Sequence, residues 1–169
     1  LALDIDPALV SSNLVCHQDG TCNGLQHMAA LTGSRETAIS VNCVESTKDD
    51  VPSDIYGIIA SEAAPLASGD VLDLINKYGR KMAKTPVMIV GYGAGKETVC
   101  KTVTLFLHNQ SENAKLGYEI GELYMQALEN KASAVKSFTA ALTSRMEEAM
   151  ISGVESARWT SADGFISDI

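Results

Sequence analysis

Apolar residues along this chain recur mostly at helical spacing, with a few short alternating stretches between the helical runs. Asn13-Leu14-Val15-Cys16 reads as a short strand running into the polar turn Gln18-Asp19-Gly20. From Asn23, the spacing of Leu25, Met28, Ala29 and Leu31 predicts a helix that Gly33 stops. Thr37 to Val44 predicts a strand, with Ile39, Val41 and Cys43 alternating. A charged turn over 47–53 leads into the next helix, with Ser53 as N-cap and Asp54 in the first turn, where negative charge suits the dipole. Ile55, Ile58, Ile59 and Glu62 continue it to Pro65, and Val71, Leu72, Leu74 and Ile75 form another helical face ending near Tyr78-Gly79.

Arg80 to Tyr92 is ambiguous. Met82, Ala83, Val87, Ile89 and Val90 fit a helix, whereas Pro86 to Val90 alone resembles a buried strand, and Pro86 would bend a helix. Glu97 to His108 and Glu112 to Gly153 read as helices, with Leu116, Ile120, Leu123 and Leu128 spaced for one buried face. Trp159 to Ile169 reads as the opening of a strand or hairpin, with Asp163-Gly164 at its turn. No repeat or linker divides the chain. The expectation is one domain over residues 1–169, mainly α with a few short strands (α+β).

Composition narrows this little. With 46% hydrophobic and 20% charged residues in 169, the chain can bury a core and is not a disordered polymer. No run of 18 apolar residues is available to span a membrane. The start at Leu1 shows no signal peptide and no initiator Met, which suggests a processed chain or an excised segment. Thirteen Lys and Arg against twenty-one Asp and Glu argue against a freestanding nucleic-acid binder, although a small basic cleft can survive within an acidic total. Cys16, Cys22, Cys43 and Cys100 are too sparse for a disulfide scaffold, and Cys16, His17 and Cys22 lack metal-ligand spacing. Buried free thiols are the reading.

Three features tempt and fail. Gly91 to Thr98 has Val90 where a phosphate loop needs its first Gly and Glu97 where it needs a hydroxyl; Lys96 breaks the dinucleotide pattern. His108 and the pair Glu147 and Glu148 read as solvated helix positions.

Two stretches carry chemistry. Gln18-Asp19-Gly20-Thr21-Cys22-Asn23-Gly24-Leu25-Gln26-His27 puts a carboxylate at a strand tip before a helix. Such an acid suits a hard cation like magnesium, which takes one or two carboxylates plus substrate phosphates. Arg80-Lys81-Met82-Ala83-Lys84-Thr85-Pro86-Val87-Met88-Ile89-Val90-Gly91-Tyr92-Gly93 places Arg80, Lys84, Met88 and Tyr92 four residues apart. On a helix they share one face: two cations for a polyphosphate, then an apolar side chain, then a phenol for a sugar or base. Taken singly, each has an ordinary reading too. Asp19 can be a turn residue or helix cap, and the second stretch an amphipathic surface helix.

Together, the two stretches resemble the single-subunit RNA polymerases of bacteriophage and mitochondrial type. The first matches their motif A, D-G-S/T-C-N/S-G-L/I-Q-H, and the second their motif B, R-x-x-x-K-x-x-V-M-x-x-x-Y-G. Asp54-Ile55-Tyr56-Gly57-Ile58 agrees in order, and Trp159 to Phe165 looks like the family's W-x-T-P-D-G-F. The resemblance spans nearly the whole chain. It implies a fingers-and-partial-palm fold and nucleotidyl transfer to an RNA 3′ end, directed by a DNA template, with two magnesium ions. By position, Asp19 becomes a catalytic metal ligand assisted by the Gly20 carbonyl. Arg80 and Lys84 hold the incoming triphosphate, Tyr92 distinguishes ribose, and Gly93 lets template or nucleotide approach. Tyr56 and Met88 belong to the nucleotide pocket, and His27 holds the turn by hydrogen bonds. Implied partners are DNA template, nascent RNA, NTPs and the rest of a polymerase chain, without a membrane and with self-association of a fragment. The setting would be intracellular: host cytoplasm if viral, mitochondrion if organellar.

The departures bear on activity. Thr85 stands where some family members place Arg. Motif C, the H-D-S segment with the second metal-binding Asp, is not found and is expected beyond Ile169, as are the amino-terminal domain, promoter-reading elements and thumb elsewhere. The chain alone is therefore expected to be inactive. The alternative is a non-catalytic nucleotide-binding or scaffold module derived from the same fold.

Overall fold

The computed structural model describes residues 11, 13–15, 19–45, 51–156 and 158–168. Among these, the helices are α1 (Asn23–Thr32), α2 (Arg35–Ser40), α3 (Ile55–Ala63), α4 (Gly69–Val90), α5 (Lys96–Asn109), α6 (Gly117–Lys131) and α7 (Ser133–Ile151). Strands β1 (Arg158–Thr160) and β2 (Ile166–Asp168) close an antiparallel hairpin, with Trp159 opposite Ser167. The mainly helical expectation holds. No helix among the described residues is long and apolar enough to cross a membrane.

The core is built where apolar residues recur at helical spacing. Ile55, Tyr56, Ile59, Ala60 and Ala63 give α3 one buried stripe. It packs on α4 and α6, while α5 and α6 lie side by side through Val99, Cys100, Val103 and Leu107 against Ile120, Tyr124 and Leu128. Each fully buried aliphatic side chain here contributes about 1.5–3 kcal/mol of burial. α1 rests on α2, α4 and α7, and only Val135 of α7 is buried.

Tyr124 is fully buried and its hydroxyl has no hydrogen-bond partner. Burial pushes its phenol up, so it stays neutral. An unsatisfied buried hydroxyl costs stability, so Tyr124→Phe is expected to raise unfolding free energy by about 1 kcal/mol. Urea denaturation checks this, and a loss of stability would contradict it.

The structure corrects several sequence expectations. Asn13 to Val15 are not in a strand, and Leu14 and Val15 are exposed. Cys16, His17 and Gln18 lie outside the described residues. The strand expected over Thr37 to Val44 is instead the end of helix α2, up to Ser40, followed by a turn. Ser34 caps it by accepting the Thr37 N–H at 3.3 Å, and Thr37, Ala38, Ser40 and Val41 are buried without alternation. At α3 the N-cap is Asp54, not Ser53, whose N–H and carbonyl are both bound by the Asn42 amide at 2.6 and 2.9 Å. The helix expected to end at Tyr78-Gly79 kinks there and resumes. Gly79 adopts φ 38° and ψ −118°, which favours glycine. The resumed half stays helical through Pro86 to Val90, with Pro86 buried, which settles the helix-or-strand ambiguity. Of the described cysteines, Cys22 and Cys100 are buried free thiols, but Cys43 is exposed.

Candidate functional site

The kink at Gly79 divides α4 into an anchored half and a half that carries the cations. Before the kink, Lys77 Nζ and the Tyr78 hydroxyl both donate to Glu112 Oε1, at 2.6 and 2.8 Å. After it, Arg80, Lys84 and Met88 follow along the helix, which ends at Val90, so Tyr92 sits in the turn beyond rather than on the same helix face. Arg80 Nε donates to Asp54 Oδ2 at 2.7 Å, and its guanidinium lies 5.3 Å from the centre of the Tyr56 ring. That stack and ion pair leave the outer guanidinium nitrogens available for another anion. Lys84 is exposed and makes no ion pair or hydrogen bond among the described residues. Met88 is half-buried.

The acidic loop leads into α1, whose first residues touch the second half of α4 and the turn after it. Asp19 and Gly20 are exposed, and Asp19 Oδ1 accepts the Gly20 N–H at 2.8 Å. Cys22, at the α1 N-cap, sits at φ 54° and ψ 60°, a left-handed conformation that costs a non-glycine residue about 1 kcal/mol. Its buried thiol reaches towards the Val87 carbonyl at 3.9 Å and lies close enough to the Tyr56 phenol to influence its ionisation. Burial, followed by the nearby thiol, pushes Tyr56 up to about 12, and burial raises Cys22 as well; both stay protonated near neutral pH.

One close approach fixes the crossing. A Cβ on Gly24 would lie 2.8 Å from the carbonyl carbon and oxygen of Gly91, and one on Gly91 would lie 3.0 Å from Gly24 backbone atoms. The start of α1 and the end of α4 therefore touch backbone to backbone. Flanking that contact, the Tyr92 hydroxyl donates to Asn23 Oδ1. Gly93 follows with φ 89° and is exposed.

The structure thus joins Tyr56 and Arg80 directly, and links Tyr56 through Cys22 to the loop carrying Asp19. Asp19 makes no ion pair with Arg80 or Lys84 among the described residues. His27, expected to hold the turn, is exposed and makes no hydrogen bond among those residues. Gln26 donates from Nε2 to the Val41 carbonyl at 2.8 Å and so ties α1 to the end of α2. Asn23, Gly24, Gly91, Gln26 and Asp54 were not singled out as site residues from sequence. A glycine in each motif was the one available signal of close approach.

For a divalent cation, Asp19 offers one carboxylate and Gly20 a carbonyl. Among the described residues no group of three His, Cys, Asp or Glu could hold a metal. This donor set fits a share of a magnesium site, with substrate phosphates and a further carboxylate completing it. Beyond Gly93, a mostly apolar groove of about 470 Å³ runs between Leu25, Val90 and the α6–α7 side chains Leu128, Val135 and Thr139.

Comparison with known proteins bears on the family of the chain. Residues 2–161 match the family model of DNA-dependent RNA polymerase. The chain is 40% identical over 95 residues to the mitochondrial DNA-directed RNA polymerase of Mus musculus, covering 52% of this chain and 8% of that protein. The Homo sapiens mitochondrial enzyme is 41% identical over 95 residues, with the same shares. DNA-directed RNA polymerase 3, chloroplastic, of Nicotiana sylvestris is 38% identical over 100 residues, covering 52% of this chain and 10% of that protein. The match thus spans a tenth or less of these relatives' length. By the extent of that family match, the chain belongs to the DNA-dependent RNA polymerases, a nucleotidyltransferase family, on its single-subunit side.

Proposed function

We propose that residues 1–169 act as the fingers-and-partial-palm part of a polymerase that adds ribonucleotides to an RNA 3′ end on a DNA template. The observation that carries this reading is the Gly24–Gly91 crossing, which ties the motif A helix to the end of the motif B helix. On this reading Arg80 and Lys84 hold the triphosphate, one steadied by Asp54 and the other free. Asp19 and the Gly20 carbonyl would hold magnesium. Bound there, magnesium neutralises polyphosphate charge and acidifies the attacking hydroxyl. Tyr56 and Met88 flank the nucleotide, Tyr92 meets its sugar, and Gly93 leaves room for the template. The partners are DNA, nascent RNA, NTPs and further polymerase elements. Self-association, and an intracellular place of the kind the mitochondrial and chloroplastic names describe, belong to the same proposal.

Equilibrium titration of ATP in the natural chain carrying these residues tests the reading. A charged contact to phosphate is worth about 1.5–3 kcal/mol, so Lys84→Ala is expected to weaken binding roughly ten- to a hundredfold. Unchanged affinity would contradict it. That no group of three His, Cys, Asp or Glu among the described residues could hold a metal leaves a second reading, a non-catalytic nucleotide-binding or scaffold module derived from the same fold; a scaffold would bind no ATP before or after substitution.

A further inference from the structure

Asn23 and Tyr92 each stand one residue from the Gly24–Gly91 contact, so two touching backbones set the separation of their side chains. The phenol donates its hydrogen to Asn23 Oδ1. A phenol has one hydrogen and can also accept. Once that hydrogen is taken up, the oxygen can only accept from anything else that approaches.

We propose that Asn23 is a specificity-determining positioning residue, which turns Tyr92 into an acceptor-only group facing the sugar of the incoming nucleotide. This rests on the reading above, in which Tyr92 meets the sugar. A ribose 2′-hydroxyl can donate to the phenol oxygen, whereas a 2′-deoxy sugar offers that oxygen no donor. Without Asn23 the hydroxyl is free to rotate, and the preference for a donor is lost. Both side chains are exposed, so the bond adds little to stability. Its effect is directional, and the glycine contact supplies the rigidity that an exposed hydrogen bond lacks.

The test uses the natural chain carrying these residues, on template with a transcript ending in a 3′-deoxynucleotide, so that no bond forms. ATP and 2′-deoxy-ATP are titrated and the ratio of their dissociation constants is taken. A hydrogen bond of about 0.5–1.5 kcal/mol corresponds to roughly two- to tenfold, and Asn23→Ala is expected to shrink the ratio by that factor through weaker ATP binding. Asn23→Asp keeps an acceptor and should leave the ratio near wild type. A 2′-amino analogue, which can donate, should bind the wild type more tightly than 2′-deoxy-ATP. In a Tyr92→Phe background, Asn23→Ala should change nothing further. If Tyr92→Phe collapses the ratio while Asn23→Ala leaves it intact, the inference falls and the role of Tyr92 stands. If neither substitution moves the ratio, both fall. A ratio that rises in Asn23→Ala would mark the bond as a latch to be broken, and would also overturn the inference.

Discussion

Asp19→Asn is expected to reduce nucleotide addition at least about a thousandfold in the natural chain carrying these residues, without lowering its melting temperature. The side chain is exposed and its one hydrogen bond goes to the neighbouring Gly20 N–H, which an amide oxygen can also accept. Folding therefore loses nothing. What disappears is a full negative charge at the position that, on this reading, holds the cation together with the Gly20 carbonyl. A neutral amide oxygen holds magnesium too weakly to offset the growing charge on a leaving pyrophosphate. Single-turnover extension of a labelled transcript measures the effect, and a rate within tenfold of wild type would remove Asp19 from the metal site.

Gly24→Ala should produce the second large effect, and this one acts on the fold. Its Cβ would sit 2.8 Å from the Gly91 carbonyl, and backbone cannot swing aside as a flexible side chain would. The helices must separate at the crossing, at a cost of about 1–3 kcal/mol for overpacking. Asn23 and Tyr92 separate with them. Gly33→Ala is the informative control: that position has φ +65° but open space around it, so only backbone strain of about 1 kcal/mol applies. Urea unfolding of the two variants distinguishes them. Equal losses would mean the crossing is not a tight contact.

The elements most legible in the sequence were those whose own residues dictate them. α3, α5 and α6 follow from apolar spacing, and the terminal hairpin from the turn at Asp163-Gly164; the break at Ala132 that separates α7 from α6 was not foreseen, because α7 buries only Val135. The strand expected at Thr37 to Val44 failed because a few alternating residues also fit a short helix, and Ser34 as a cap decided between them. Gly79 was read as a stop because glycine usually ends helices. Here it bends one, and Tyr78 is held from outside by Glu112. The site shows the same division. Asp19, Arg80, Lys84 and Tyr92 stand out by motif, but their neighbours do not. Arg80 meets Asp54 across 26 positions of chain and Tyr92 meets Asn23 across 69. No local period encodes such pairings; they arise from the kink and the glycine crossing. Charge was the least informative quantity, since a net of −8 conceals a helix face with two cations.

The central claim is that the Asp19 loop and the second half of α4 serve one nucleoside triphosphate. It is tested most directly by a structure of the natural chain with template, a 3′-deoxy-terminated transcript, ATP and magnesium. The account predicts phosphate oxygens within hydrogen-bond distance of Arg80 and Lys84, and a cation bridging those phosphates to the Asp19 carboxylate. A triphosphate seated elsewhere, for instance in the groove between Leu25 and α7, with Asp19 facing solvent, would contradict it.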